Sequence, residues 1–429
     1  MSSLIDARDA ETGRPWAWRR LLKSLGPGLI TGAADDDPSG IATYSQAGAQ
    51  FGYSLGWVMV FSYPLMAVTQ SISARIGCVT GCGIARNLRR HHPRWLLRCV
   101  VLMLLVANIA NLGADLGAMA AALQLLVPGP ALLYGAGFAL LCILLEVFLS
   151  YARYAAILRW LTLSLFAYAA VVLVVRVPWS EALLGAFVPH LAFDAEHAQA
   201  LVAILGTTIS PYLFFWQASQ EVEEQLRRTA QPLYIAPARA GEELARVRID
   251  TWVGMGYSNL ISLFIIIATA ATLHAGGITD IQNSAQAAEA LRPIAGGLAF
   301  ALFACGIIGT GLLAVPVLAG SAAYAVCEAF DWVEGLDHKP KDAKAFYGVI
   351  VLATALGLGV GFIGLDPIKA LYWSAVLNGL LAAPLMATML AIAGSRRIMG
   401  PVTLPRSMAI AGWLAVLVMA AASIAFLVL

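Results

Sequence analysis

Residues 25–40 read LGPGLITGAADDDPSG: an apolar, glycine-rich run, then three consecutive carboxylates, a proline, a serine and a glycine. Ile41 to Trp57 continues largely apolar, so the acids sit inside what is otherwise a membrane-spanning helix. Each charged side chain at the centre of an inserted helix costs roughly 2.5–3.5 kcal/mol, so three together must face something other than lipid. Pro38 removes a backbone donor and Gly40 tolerates unusual dihedrals, which predicts that the helix comes apart here. Unwound backbone at membrane depth is tolerated only where protein buries it or where it lines a watery cavity. Carbonyls and carboxylates exposed in such a cavity suit a hard cation.

A second interruption answers the first. Gly206-Thr207-Thr208-Ile209-Ser210-Pro211-Tyr212 places a proline and small polar residues inside the apolar segment 199–220. Two interrupted helices, one opening each half of the chain, are the sequence pattern of an inverted-repeat transporter with a central site.

Composition fits an integral membrane protein: 60% hydrophobic residues, 12% charged residues and a mean hydropathy of +0.78 over 429 residues. A net charge of +2 gives no reason to expect a nucleic-acid partner. Residues 1–23 are polar with five basic side chains, and the run after them is too long for a signal-peptide core, so no cleavable leader is expected. The six cysteines are scattered, and Cys78 and Cys82 lack the spacing of a metal-binding pair; they read as small apolar residues.

Apolar segments at 24–50, 54–76, 97–127, 130–150, 155–176, 199–220, 250–275, 293–327, 345–364, 368–394 and 408–428 predict about eleven spans. The expected organisation is a tail at 1–23, a first repeat at 24–176, a second repeat of opposite orientation at 199–394, and an extra span at 408–428. Of the 27 Lys and Arg residues, all but Arg176, Arg292 and Lys369 fall on one side. That bias predicts a cytoplasmic N-terminus, and the odd span count then puts Leu429 outside; the expected location is the plasma or inner membrane.

Asp37 is the first candidate ligand, because it immediately precedes the proline at which the helix unwinds. Capping of the following half-helix is compatible with that role. Asp35 and Asp36 are read as drawing cations in or contacting the ion through water. Around the second break, the Thr207 carbonyl, the Ser210 hydroxyl and the Tyr212 phenol form the opposing set; alternatively Ser and Thr bond back to helix carbonyls and Tyr packs between helices. Gly40, Asp115, Gln217 and Asn378 are cavity or relay candidates, Asp115 being a lone intramembrane carboxylate. Asn108 and Asn111 either line the cavity or join helices. Glu146 is expected to pair with Arg153. Glu221, Glu223 and Glu224 are expected as a solvated collar, and His91 and His92 as solvated residues in a basic loop.

These residues carry a resemblance. GPGLITGAADDDPSG resembles the first-helix region of the NRAMP divalent-metal transporters, whose hallmark there is Asp-Pro-Gly-Asn. SARIGCVTG (73–81) resembles the end of their second helix and the loop after it, TTISPY falls where they carry Met-Pro-His, and LLAVPVLAGSAAYAVCEA resembles their eighth helix. The resemblance implies an all-α, LeuT-like 5+5 inverted repeat with helices one and six interrupted around a metal ion. Asp37-Pro38 retains the family's Asp-Pro, but Ser39-Gly40 replaces Gly-Asn. Ser210 stands at the methionine position, Tyr212 at the first histidine, Gln217 near the second, and Ala118 where a glutamate usually follows the aspartate matched by Asp115. This pattern is similar to the NRAMP-related magnesium transporters.

Losing a thioether removes a ligand suited to softer metals, and Mg²⁺ prefers a roomy oxygen-lined site in which it keeps waters. Loss of the histidines and one acid removes groups suited to carrying protons near neutral pH. The expectation is Mg²⁺ transport, with Mn²⁺ also accepted, weak or absent proton coupling, no bound cofactor, and a monomer or weak homodimer in the bilayer. Two other readings stand beside it: proton-coupled Mn²⁺/Fe²⁺ symport, and transport of an organic solute on the same architecture. Enzyme motifs such as HExxH or GxSxG are not found.

Overall fold

A computed structural model describes residues 27–148, 165–192, 194–361 and 366–429. Every regular element among them is helical. In chain order those of six residues or more are α1 (Pro27–Asp35), α2 (Pro38–Phe51), α3 (Gly56–Thr80), α4 (Ile84–His91), α5 (Arg94–Gln124) and α6 (Ala131–Phe148). There follow α7 (Phe166–Val174), α8 (Trp179–Phe187), α9 (Ala195–Thr208), α10 (Pro211–Arg227) and α11 (Ala240–Thr269). The chain closes with α12 (Ser284–Glu289), α13 (Ala299–Phe330), α14 (Lys344–Gly361), α15 (Pro367–Gly394) and α16 (Arg406–Val428). The tail at 1–23, the first ten residues of the fifth span (155–164) and Arg153, the expected partner of Glu146, lie outside the described residues.

Both expected interruptions are present, and their cause is the same. The residue before a proline is driven out of the helical region, and the proline then starts a new helix as its first residue. Asp37 is extended at φ −73°, ψ 170° ahead of Pro38, and Ser210 at φ −78°, ψ 123° ahead of Pro211. One helix is thereby split into α1 and α2, the other into α9 and α10. In space α1 packs beside α10 and α2 beside α9. The first half of one interrupted helix thus meets the second half of the other, so the two run antiparallel, as an inverted repeat requires. The four broken ends converge.

Small residues let the surrounding helices close on this centre. A Cβ on Gly28 would come within 2.7 Å of the Thr251 nitrogen, and one on Gly32 would land on the Gly254 backbone, so α1 lies backbone to backbone against α11. On the opposite flank a Cβ on Gly113 of α5 would meet the Gly357 carbonyl of α14 at 2.6 Å. The α5 helix is 31 residues long. At 1.5 Å per residue it exceeds the roughly 30 Å hydrocarbon layer, as the length of its apolar run foretells.

One element was not foreseen and one local reading is corrected. Residues 179–187, between the segments read as spans, form a nine-residue helix with Trp179, Leu183, Leu184 and Phe187 exposed. At that length it cannot cross a bilayer, and its apolar face suits the membrane surface. The carboxylates of α10 are not a solvated collar: Glu221 is 0% exposed and Glu223 6%. Packing of α10 against α3 and α13 covers them. Glu221 accepts from Arg246 at 3.2 Å and from the Cys78 thiol at 3.3 Å. Glu223 accepts from the Tyr324 hydroxyl and from Leu336 N at 2.8 Å. Glu224, bonded to Arg228 at 2.6 Å, stays at the surface as expected.

Candidate metal site at the two helix breaks

Asp37 holds the centre of the site and is 1% exposed. Its Oδ1 accepts from Gly40 N and from Ser39 Oγ, each at 2.7 Å, which caps α2. Its Oδ2 accepts from the Tyr212 hydroxyl across the interface at 3.2 Å. A carboxylate offers about four lone-pair positions, so three donors leave Oδ2 with capacity for a further, electropositive partner. Tyr212 Oη also lies 3.3 Å from the Ala34 carbonyl, one of the acceptors freed where α1 ends.

The facing break supplies oxygen too. Thr207 Oγ1 is buried without a hydrogen-bond partner among the described residues. It stands beside Gly40, where a Cβ would come within 3.2 Å of it and 3.5 Å of Asp37 Oδ1. Thus Gly40 is the spacer that lets Asp37 and Thr207 share one small volume. Ser210 does not cap α10. Its hydroxyl donates back to the Thr207 carbonyl at 2.6 Å and lies 3.2 Å from the Gly206 carbonyl. The local alternative therefore holds for the Ser210 proton, while the hydroxyl's lone pairs and the second lone pair of the Thr207 carbonyl are left over.

The sequence matches the Nramp family, Natural resistance-associated macrophage protein-like, over residues 28–429. The chain belongs to the Nramp family. It is 32% identical over 324 residues to a Xanthomonas campestris protein named divalent metal cation transporter MntH, covering 74% of this chain and 71% of that one. A protein of the same name from Deinococcus radiodurans is 28% identical over 97% of this chain and 93% of its own. The fold is similar to that of a manganese transporter of Eremococcus coleocola, crystallised with an aromatic bis-isothiourea compound. The TM-score is 0.75 at 19% identity, over 97% of this chain and 88% of the other.

Not every acid of this Nramp chain's first break faces the second. Asp35 and Asp36 are 1% and 2% exposed and share the Ser258 hydroxyl of α11, which lies 2.7 Å from Asp35 Oδ2 and 2.9 Å from Asp36 Oδ1. Nothing in the sequence around Ser258 marks it as their partner. Asp115 is fully buried in α5, and neither of its oxygens has a partner among the described residues. The same holds for both amide atoms of Asn111, one turn earlier, and of Asn378 in α15. Gln217 is directed away from the break: its amide donates to Thr251 Oγ1 at 2.9 Å. Asn108 joins helices, donating to the Leu318 carbonyl at 2.9 Å.

Among the described residues no three His, Cys, Asp or Glu side chains converge as a metal cluster.

Sequence reasoning also missed Asp250. Its Oδ2 accepts from Gly28 N at 2.7 Å and its Oδ1 from Leu29 N at 3.1 Å, so one side chain of α11 satisfies two free donors at the start of α1. On the far side of the break a cleft of about 640 Å³ between α2, α9 and α15 is lined by Gln46, Gln50, Glu196, Asp280 and Lys369. With Asp37 sealed, this cleft ends short of the site.

Proposed function

We propose that this chain moves divalent metal cations, Mg²⁺ and also Mn²⁺, into the cytoplasm by alternating access, with the ion partly hydrated and with weak or no proton coupling. The observation that carries the reading is Asp37, held between the two breaks with Tyr212, Thr207, Ser39 and Ser210 as oxygen-bearing neighbours. A hard ion that keeps several waters needs one or two carboxylates and hydrogen-bonding oxygens around them, not a closed ligand cage. Asp37 and the Thr207 and Ser210 oxygens are the proposed contacts, with Tyr212 ordering Asp37 or a water. Asp35 and Asp36 act at one remove, adding negative field while tied to Ser258. Asp115, with no hydrogen-bond partner among the described residues, is the proposed second acid of the path. The names of the relatives, divalent metal cation transporter and manganese transporter, support a metal cargo. The basic side, carrying Arg89, Arg227 and Lys339, is the proposed cytoplasmic face, so both the potential and the metal gradient drive entry.

A second reading is proton-coupled Mn²⁺/Fe²⁺ symport, manganese being the metal named for the structural neighbour. The two separate in proteoliposomes containing the purified protein, given Mg²⁺, Mn²⁺ or Ca²⁺ while internal pH is followed. Entry of Mg²⁺ and Mn²⁺ without acidification is the expected result. Mn²⁺ entry with acidification and no Mg²⁺ flux establishes the second reading, and no flux of any metal overturns both.

A further inference from the structure

A cleft of about 880 Å³ opens where the end of α4, the first turns of α5 and the last residues of α13 meet. Four arginines line it, Arg89, Arg90, Arg94 and Arg98, all of them exposed. The acid in its wall, Asp331, pairs with Arg89 at 3.0 Å, and Arg90 donates to Cys82 Sγ at 3.3 Å. Arg94 and Arg98 have no ion pair among the described residues. The cleft therefore carries a local excess of positive charge that the described residues do not neutralise.

The rest of the lining is apolar, and its order along α5 is informative. Arg94, Arg98, Val101 with Leu102, and Leu105 recur at helical spacing, so they share one face. At 1.5 Å per residue, Leu105 lies roughly 10 Å deeper than Arg98. Leu102 is 62% exposed and Val106, beside it, 48%. The depth of the arginines is marked independently. Trp95 is 65% exposed next to Arg94, and exposed Trp332 stacks on Phe330 of the cleft with ring centroids 4.9 Å apart. Exposed tryptophans of this kind sit at headgroup level.

We infer that this cleft binds one anionic phospholipid, with its phosphate on Arg94 and Arg98 and an acyl chain laid along Leu102 and Leu105. Guanidinium forks match phosphate oxygens in geometry as well as charge. Basic pockets between spans at the membrane surface are suited to anionic headgroups. A free phosphate would satisfy the arginines but leave the apolar half of the cleft uncovered, which is why a lipid is the better occupant. The site is independent of the helix breaks and of the ion carried.

The test is native mass spectrometry of the delipidated full-length protein. Phosphatidylglycerol or phosphatidylcholine of the same chains is added, with and without inorganic phosphate as competitor. The expected result is a phosphatidylglycerol adduct at least about tenfold tighter than the phosphatidylcholine one, as two basic contacts near the surface warrant. The Arg94→Gln, Arg98→Gln double variant is expected to lose that preference, and Arg94→Lys, Arg98→Lys to keep most of it. Equal binding of the two lipids to the unsubstituted protein overturns the proposal whether or not any variant folds. So does a preference that survives the double Gln substitution, or displacement of the lipid by inorganic phosphate.

Discussion

The Tyr212 hydroxyl donates to Asp37 Oδ2 at 3.2 Å, joining two helix breaks that lie 175 residues apart in the chain. A hydrogen bond to a charged group is worth roughly 1.5–3 kcal/mol. Tyr212→Phe is therefore expected to weaken ion binding about tenfold or more while leaving the ring packed. Uptake measured against Mn²⁺ concentration gives the answer; an unchanged KM means that the phenol orders neither Asp37 nor the ion.

Asp37→Ala removes the one carboxylate between the breaks together with the cap of α2. Uptake should fall about a hundredfold or more, the equivalent of losing roughly 3 kcal/mol of ion contact. Asp37→Asn, which keeps an acceptor for Gly40 N, should transport equally poorly but fold better, as read by monodispersity on gel filtration. Near-normal uptake by either variant would take Asp37 out of the site.

Ser210→Met puts a polarisable thioether beside the Thr207 carbonyl to which the hydroxyl now donates. Preference should move from Mg²⁺ towards Mn²⁺ and Cd²⁺. Competition of each ion against Mn²⁺ uptake measures the shift, and unchanged ratios would show that position 210 does not face the ion.

Asp250 ties the start of α1 to α11 through two backbone donors. Asp250→Asn removes the charge and one of the two acceptors, so α1 should leave α11 more often. A cysteine placed at the buried Ala34, with exposed Cys99 and Cys305 changed to serine, reports this as faster labelling by an aqueous thiol reagent. Labelling at the rate of the Asp250 protein would mean that the glycine contacts alone hold α1.

Glu334, in the connection after α13, is held well above the usual carboxylate range by burial and then by the neighbouring Glu328, while Arg86 at 2.9 Å acts in the opposite sense. A raised acid favours the folded state most at low pH, and that contribution is lost as pH climbs through the folded-state value. Thermal stability should therefore decline as pH rises above the ordinary glutamate value towards about pH 9, and Glu334→Gln should flatten the slope. An identical slope in the variant would place the loss elsewhere.

Legibility in the sequence followed the range of the interactions involved. Asp37-Pro38 and Ser210-Pro211 announce both breaks, because the restriction a proline places on its predecessor is local and needs no neighbour. Apolar run lengths likewise place α5, α13, α15 and α16, since the bilayer sets the minimum length of a span. The nine-residue α8 was missed because a short amphipathic helix has no span-length signal.

Within the site the division is sharper. A linear reading ranks Asp37 above Asp35 and Asp36 by its proline but names no partner for any of them; Asp37 meets Tyr212 and Gly40, whereas Asp35 and Asp36 meet Ser258, more than 220 positions along. Which acid faces the second break depends on how α1 rotates against α11, and the Gly28, Gly32 and Gly254 contacts decide that only once the helices pack. The burial of Glu221 and Glu223 and the Asp250 tie to α1 are of the same kind. Sequence by itself determined the membrane class and the two broken helices, through side-chain transfer energies and proline stereochemistry, and pointed to the family through the resemblance of its motifs. Tertiary structure alone decided which polar groups meet, because a hydrogen bond between distant residues exists only where packing brings donor and acceptor within about 3 Å.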